Sequence, residues 1–146
     1  MKLALQCDEI DVHLAIFREP FLSAILDGRK TVESRFGVHR CAPYESIKPG
    51  DIILLKHSGG PIVGLAIASA AQFFSLSPSV LLDLRKRFGR RLYALDDTFW
   101  DERAHKQYAT LIDIDDPIEI PPVEIEKRDR RGWVCYSSGA EMRLDI

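Results

Sequence analysis

Gly28-Arg29-Lys30-Thr31-Val32-Glu33-Ser34-Arg35-Phe36 joins the end of a short apolar segment to a run of alternating character. A strand sends successive side chains to opposite faces, so Thr31, Glu33 and Arg35 are expected on one side and Val32, Ser34 and Phe36 on the other. The second side is mostly apolar and suits a core. The first gathers a hydroxyl, a carboxylate and a guanidinium next to Lys30. Such groups either pair on a surface, where Glu33 with Lys30 or Arg35 adds little stability, or face a ligand. Periodicity alone favours the surface pair over the ligand.

Upstream, Val12–Phe17 is apolar and partly β-branched, as a buried strand requires. Pro20 suits the first turn of a helix whose apolar face is Phe21, Leu22, Ala24, Ile25 and Leu26, and Gly28 supplies a left-handed end. Downstream, a loop over 37–50 closes on Lys48-Pro49-Gly50-Asp51, a turn signature. Ile52–His57 and Pro61–Ala70 read as strands of a hairpin through Ser58-Gly59-Gly60. Ser77-Pro78 opens a helix to about Phe88, and a second helical stretch is expected from Asp96 or Asp97 to about Gln107. Tyr108–Asp113, Ile118–Ile125 and Trp133–Ser137 read as later strands, separated by Pro117, Pro121 and Pro122. The order predicts an α+β fold, a small β-barrel with flanking helices, in one domain over residues 1–146.

Composition narrows the function classes. The 146 residues are 46% apolar and 29% charged, an ordinary globular balance, and the net charge of −2 announces no whole-protein attraction to nucleic acid. Cys7, Cys41 and Cys135 lie far apart, which points to free thiols in a reducing, cytoplasmic setting. His13, His39, His57 and His105 lack metal-ligand spacing, so neither a metal nor another cofactor is expected. Met1–Leu5 is too short for a signal-peptide core, and no apolar run approaches the ~20 residues of a membrane-spanning helix.

The run Gly28-x-Lys30-x-x-Glu33-x-Arg35 resembles the G-x-K-x-x-E-x-R signature of the ASCH domain, a branch of the PUA-like barrels. Phe17-Arg18-Glu19-Pro20-Phe21, Lys48-Pro49-Gly50-Asp51, Gly59-Gly60-Pro61-Ile62-Val63-Gly64 and Arg131-Gly132-Trp133-Val134 fit in the same order, so the resemblance spans about Val12 to Tyr136. Glu19 stands where that family often has glutamine, which adds a negative charge near the expected cleft. The resemblance implies a PUA-like barrel with a cleft for RNA, a modified nucleoside or a similar ligand. Lys30 and Arg35 would then contact phosphate or base edges, and Glu33 would orient them.

The resemblance also implies two catalytic alternatives. One ASCH branch contains amidohydrolases of acetylcytidine that use a lysine, a threonine nucleophile and a glutamate. Lys30 falls at the lysine position, Glu33 occupies the place of the hydroxyl, and Thr31 is the nearest hydroxyl on the expected face. A neighbouring Glu33 would raise the Lys30 pKa, which suits a charged binder better than a base. Another branch resembles ribonucleases, in which Lys30 would stabilise a charged phosphorane and Glu33 take a proton. A protein-interaction module with a vestigial pocket is the third alternative.

Outside this run, Ser58 and Gly59 could offer an anion site or simply make a hairpin turn. Arg85, Lys86, Arg87, Arg90 and Arg91 form either a phosphate-tracking patch or a solvated helix end. Lys127-Arg128 and Arg130-Arg131 are a second basic cluster. Among the aromatics, Trp100 stands beside Asp101 and Glu102 and is the candidate for a cleft rim, whereas Trp133 is expected in the core. Lys56 or His57, at a strand end, is expected to point toward the cleft.

Overall fold

The computed structural model describes residues 10–126, 130–136 and 144–145. Cys7, Lys127, Arg128 and Ser137 lie outside the described residues. The elements run β1 (Val12–Phe17), α1 (Phe21–Leu26), β2 (Val32–Gly37), β3 (Ile52–His57), β4 (Ile62–Ser75), α2 (Pro78–Phe88), α3 (Asp97–Asp101), β5 (Tyr108–Ile125), β6 (Trp133–Tyr136) and β7 (Leu144–Asp145). The sheet order is β2-β5-β4-β3-β1-β6, with β7 on β5. β1 pairs in parallel with β3, and every other described pairing is antiparallel. The sheet curls into a half-barrel with helices against it, the α+β arrangement expected from the sequence.

Several elements follow the local chemistry closely. Gly28 sits at φ 84° and donates its N–H to Ile25 O, ending α1 in the left-handed region open to glycine. The Ser77 side chain accepts from Val80 N at 3.2 Å and caps α2, with Pro78 in the first turn. Gly59, at φ 72°, turns the β3–β4 hairpin. Glu19 is spent locally, because its carboxylate accepts from Ser23 N and Ser23 Oγ at the start of α1. The charge expected near the cleft is therefore turned onto the helix.

Two strands are longer than expected. β4 continues to Ser75, and β5 is continuous from Tyr108 to Ile125 despite Pro117, Pro121 and Pro122. Register shifts explain the tolerance. β4 and β5 slip between Ile62/Gly64 and Leu65/Ile67, and the prolines fall opposite those slips, where no ladder N–H is required. α3 is shorter than expected and gives way to turns over 102–105.

The concave face of the sheet buries Ala15, Phe17, Ile53, Leu55, Ile112 and Trp133 under Leu22 and Ile25 of α1. α2, α3 and the segment between them close a second cluster around Val32, Leu84, Phe88, Leu92, Trp100 and Leu111. Leu14, Ile62, Ile125 and Val134 form a third cluster. One buried polar chain runs through the first. Trp133 Nε1 donates to His13 Nδ1 at 2.9 Å, so that nitrogen carries no proton and His13 Nε2–H donates to Asp51 Oδ2 at 2.8 Å. Asp51 also accepts from Lys48 Nζ, Lys48 N and Asp11 N. This chain fixes the Trp133 ring.

Candidate functional site

β2 forms one edge of the sheet, and β1 with β6 forms the other. Arg35, on β2, reaches across the opening between them. Its Nη2 donates to Ile16 O at 2.8 Å and its Nη1 to Gly132 O at 3.0 Å. The guanidinium carbon lies 4.9 Å from the Phe17 ring centre and 5.1 Å from that of Trp133. Gly132 leaves room for this reach, since a Cβ there would lie 3.3 Å from Arg35 Nη1.

Glu33 lies between two cations. Its Oε2 accepts from Arg35 Nη2 at 3.2 Å, and its Oε1 is 3.4 Å from Lys30 Nζ. The Glu33 Oε1 also accepts from Ser34 N at 2.7 Å. Lys30 Nζ donates to Leu92 O at 2.6 Å and lies 5.3 Å from the Phe21 ring centre. Lys30 is only 2% exposed and Glu33 5%. The alternation of β2 and the turn after α1 thus bring Lys30, Glu33 and Arg35 together.

Burial pushes the Glu33 carboxyl up, but the charges of Lys30 and Arg35 and the Ser34 N–H outweigh it, leaving it below its ordinary 4.5. Burial also dominates at Lys30 and pulls it below its ordinary 10.5, against the opposing pull of Glu33. Glu33 does raise Lys30, as expected, but desolvation is the larger effect and sets the net direction. A depressed carboxyl stabilises the fold fully above its unfolded pKa, and that stabilisation is lost as pH falls through the lower folded value. Urea midpoints measured below about pH 4.5 should therefore fall less steeply in Glu33→Gln than in the native chain.

These residues border a cleft of about 420 Å³, within the ~300–1,000 Å³ of small-molecule sites. Its charged lining comprises Arg18, Lys30, Arg35, Arg103 and Lys106 against Glu33 and Glu102. Phe17, Phe21, Phe36 and Phe99 supply aromatic wall. Arg103 lies 3.6 Å from the Phe99 ring centre and donates to Phe99 O. Ser34, expected on the core face, also borders the cleft and brings a hydroxyl to it. Arg103, Lys106 and Glu102 carried no signal in the sequence; the turns after α3 bring them over β2. Arg18 had one, its place beside Phe17 at the end of β1.

The other sequence candidates lie elsewhere. Thr31 is exposed and does not border the cleft, because β2 begins at Val32. The Thr31 backbone is tied by N–H to Arg91 O and by its carbonyl to Ile114 N. Trp100 is buried, with Nε1 donating to Ala94 O, and Phe99 takes the cleft position one residue earlier. Gly28 shapes the turn into Lys30 without bordering the cleft. Ser58 and Gly59 border a different cavity, as does Lys56; His57 borders neither. In the basic helix end, Arg85 pairs with Asp97, Arg87 with Asp83 and Arg91 with Asp113, which offsets much of the positive field. Neither Lys86 nor Arg90 borders a described cavity. No group of three or more His, Cys, Asp or Glu side chains suited to a metal occurs among the described residues. No helix of the described residues is long and apolar enough to cross a membrane.

No family model and no curated protein matches the chain. Among solved structures, the chain is similar to ASCH from Zymomonas mobilis, with a TM-score of 0.59 and 21% identity over 76% of this chain and 71% of that one. Two single-substitution variants of the same Zymomonas mobilis protein match with TM-scores of 0.59 and 0.58, also at 21% identity. At that identity the likeness bears on architecture. The chain has an ASCH-like fold, as its Gly28-to-Arg35 run led one to expect.

Proposed function

We propose that the cleft beside Lys30, Glu33 and Arg35 binds single-stranded RNA or a nucleoside-like ligand. The supporting observation is a concavity lined by five cations, two carboxylates and four phenylalanines in a chain whose net charge is −2. Positive charge concentrated there attracts phosphate, and aromatic rings with guanidinium planes stack unpaired bases. Arg103 over Phe99 supplies such a plane, and Glu33 is an acceptor for an exocyclic amine. The free thiols of Cys41 and Cys135 agree with a cytoplasmic setting.

Titration with the four ribonucleosides and a short single-stranded RNA, followed through backbone amide shifts, tests the reading. The expected shifts centre on Phe21, Ser34, Phe36 and Phe99, and RNA affinity falls with added salt. Shifts confined to other faces, or none, would refute it.

A hydrolase reading of the same cleft keeps one observation in its favour. A lysine whose amine is held below its ordinary pKa shares the cleft with the Ser34 hydroxyl and Glu33. Turnover of an N-acylated cytidine or of RNA that disappears in Ser34→Ala would establish it, and absence of turnover on both leaves binding alone.

A further inference from the structure

Strand alternation at the end of β1 divides two environments. Ala15 and Phe17 join the concave core with Trp133, while Leu14 and Ile16 pack on the cluster of Ile62, Ile125 and Val134. β3 repeats the pattern, with Ile53 and Leu55 on the concave side and Leu54 against the other cluster. Lys56, two residues on from Leu54, follows it to that side. A second cavity of about 410 Å³ opens there.

Its charged lining among the described residues is Arg18, Lys56, Arg130 and Arg131. Ser58 and Gly59 complete the wall from the β3–β4 turn. Lys56 is 9% exposed and donates to His57 O at 3.1 Å, so its ammonium is held at the base of the cavity by the strand it belongs to. Four cations in one concavity raise the local concentration of anions far more than the same charges spread over a convex surface.

The two cavities share Ile16 and Arg18. The rib between them is the Ile16–Gly132 pairing, in which Ile16 N donates to Gly132 O at 3.0 Å. Arg35 donates to the carbonyls of both residues from the first cleft. A group held beside Arg35 therefore needs to cross only this rib, next to Arg18, to enter the second cavity.

We propose that the second cavity is a phosphate subsite, in which Arg18, Lys56, Arg130 and Arg131 hold a phosphate of the ligand whose base or sugar occupies the first cleft. This rests on the binding reading above and deepens it: the ligand is a nucleotide or an RNA strand rather than a neutral nucleoside. A terminal phosphomonoester and an internal phosphodiester present the same oxygens to these cations, and the test separates them.

Amide shifts of the full chain are followed at constant ionic strength with inorganic phosphate, a ribonucleoside 5′-monophosphate, its parent nucleoside and a short single-stranded RNA with no terminal phosphate. Phosphate and the monophosphate are expected to move Ser58, Gly59 and Gly132, and the monophosphate to bind at least tenfold tighter than the nucleoside. RNA that moves the same amides identifies an internal diester as the occupant, whereas RNA that leaves them unmoved while the monophosphate moves them identifies a terminal phosphate. In Arg130→Gln/Arg131→Gln, whose side chains lie on an exposed segment, the shifts with phosphate should vanish. If RNA occupies the subsite, the slope of log affinity against log salt should also shrink by up to about 0.7, the value for the one phosphate that the subsite neutralises.

Equal affinity for nucleoside and monophosphate, with Ser58, Gly59 and Gly132 unmoved by phosphate, overturns the subsite and leaves the first cleft standing. Phosphate shifts at those amides with no nucleoside shifts at Phe21 or Phe99 keep the subsite as an anion site and overturn the binding reading of the first cleft.

Discussion

Arg35→Ala is expected to lower folding stability by about 3–5 kcal/mol, the cost of removing one member of a largely buried charge pair. The side chain does more than neutralise Glu33. It links the two edges of the half-barrel through Ile16 O and Gly132 O, and it fills the space between Phe17 and Trp133. Alanine leaves both rings without their partner and Glu33 with Lys30 alone. Arg35→Lys should recover little of the loss, because an ammonium has neither the planar fork to reach two carbonyls nor a flat face to lie on the rings. Urea unfolding of the three proteins measures this. A midpoint for Arg35→Ala close to the native value would mean that the opening between the sheet edges is closed by packing elsewhere.

The second large effect concerns Glu33. Glu33→Leu strands two cations, Lys30 at the base of the cleft and Arg35 beside it, and about 3–5 kcal/mol of stability should be lost. Adding Lys30→Met removes the more deeply buried of the two, and most of that loss should return. An apolar pair of similar volume does not pay the desolvation of two charges. The remaining deficit is Arg35 without its carboxylate together with the Leu92 carbonyl that Lys30 had satisfied, the latter about 1–3 kcal/mol for a buried acceptor left without a donor. Binding should separate from stability: the double variant, though folded, should lose ligand affinity at least tenfold. A double variant as unstable as Glu33→Leu would show that Lys30 contributes chiefly to the fold.

The reach of the sequence can be judged residue by residue. Lys30, Glu33 and Arg35 were legible together because alternation along a strand is a local property and all three lie within six positions. Gly28 and Ser77 were legible for the same reason, each fixing a helix end through its own backbone or hydroxyl. Trp100 misled because its acidic neighbours suggest exposure, while a five-residue helix packed on Phe36 buries the indole and turns Phe99 outward to the cleft. Thr31 misled by one position, since the strand starts after it. Arg103 and Lys106 were invisible because only the chain path after α3 carries them over β2. The prolines of β5 read as strand ends, and the compensating register slips belong to the β4 partner rather than to the prolines themselves.

The proposed function stands most directly on a crystal of the native protein soaked in a mixture of ribonucleosides and nucleotides. The expected result is flat density against Arg103 or Phe21, with a polar edge within hydrogen-bond distance of Glu33 or Arg35. A cleft that stays empty at saturating ligand, or density only on other faces, would contradict it.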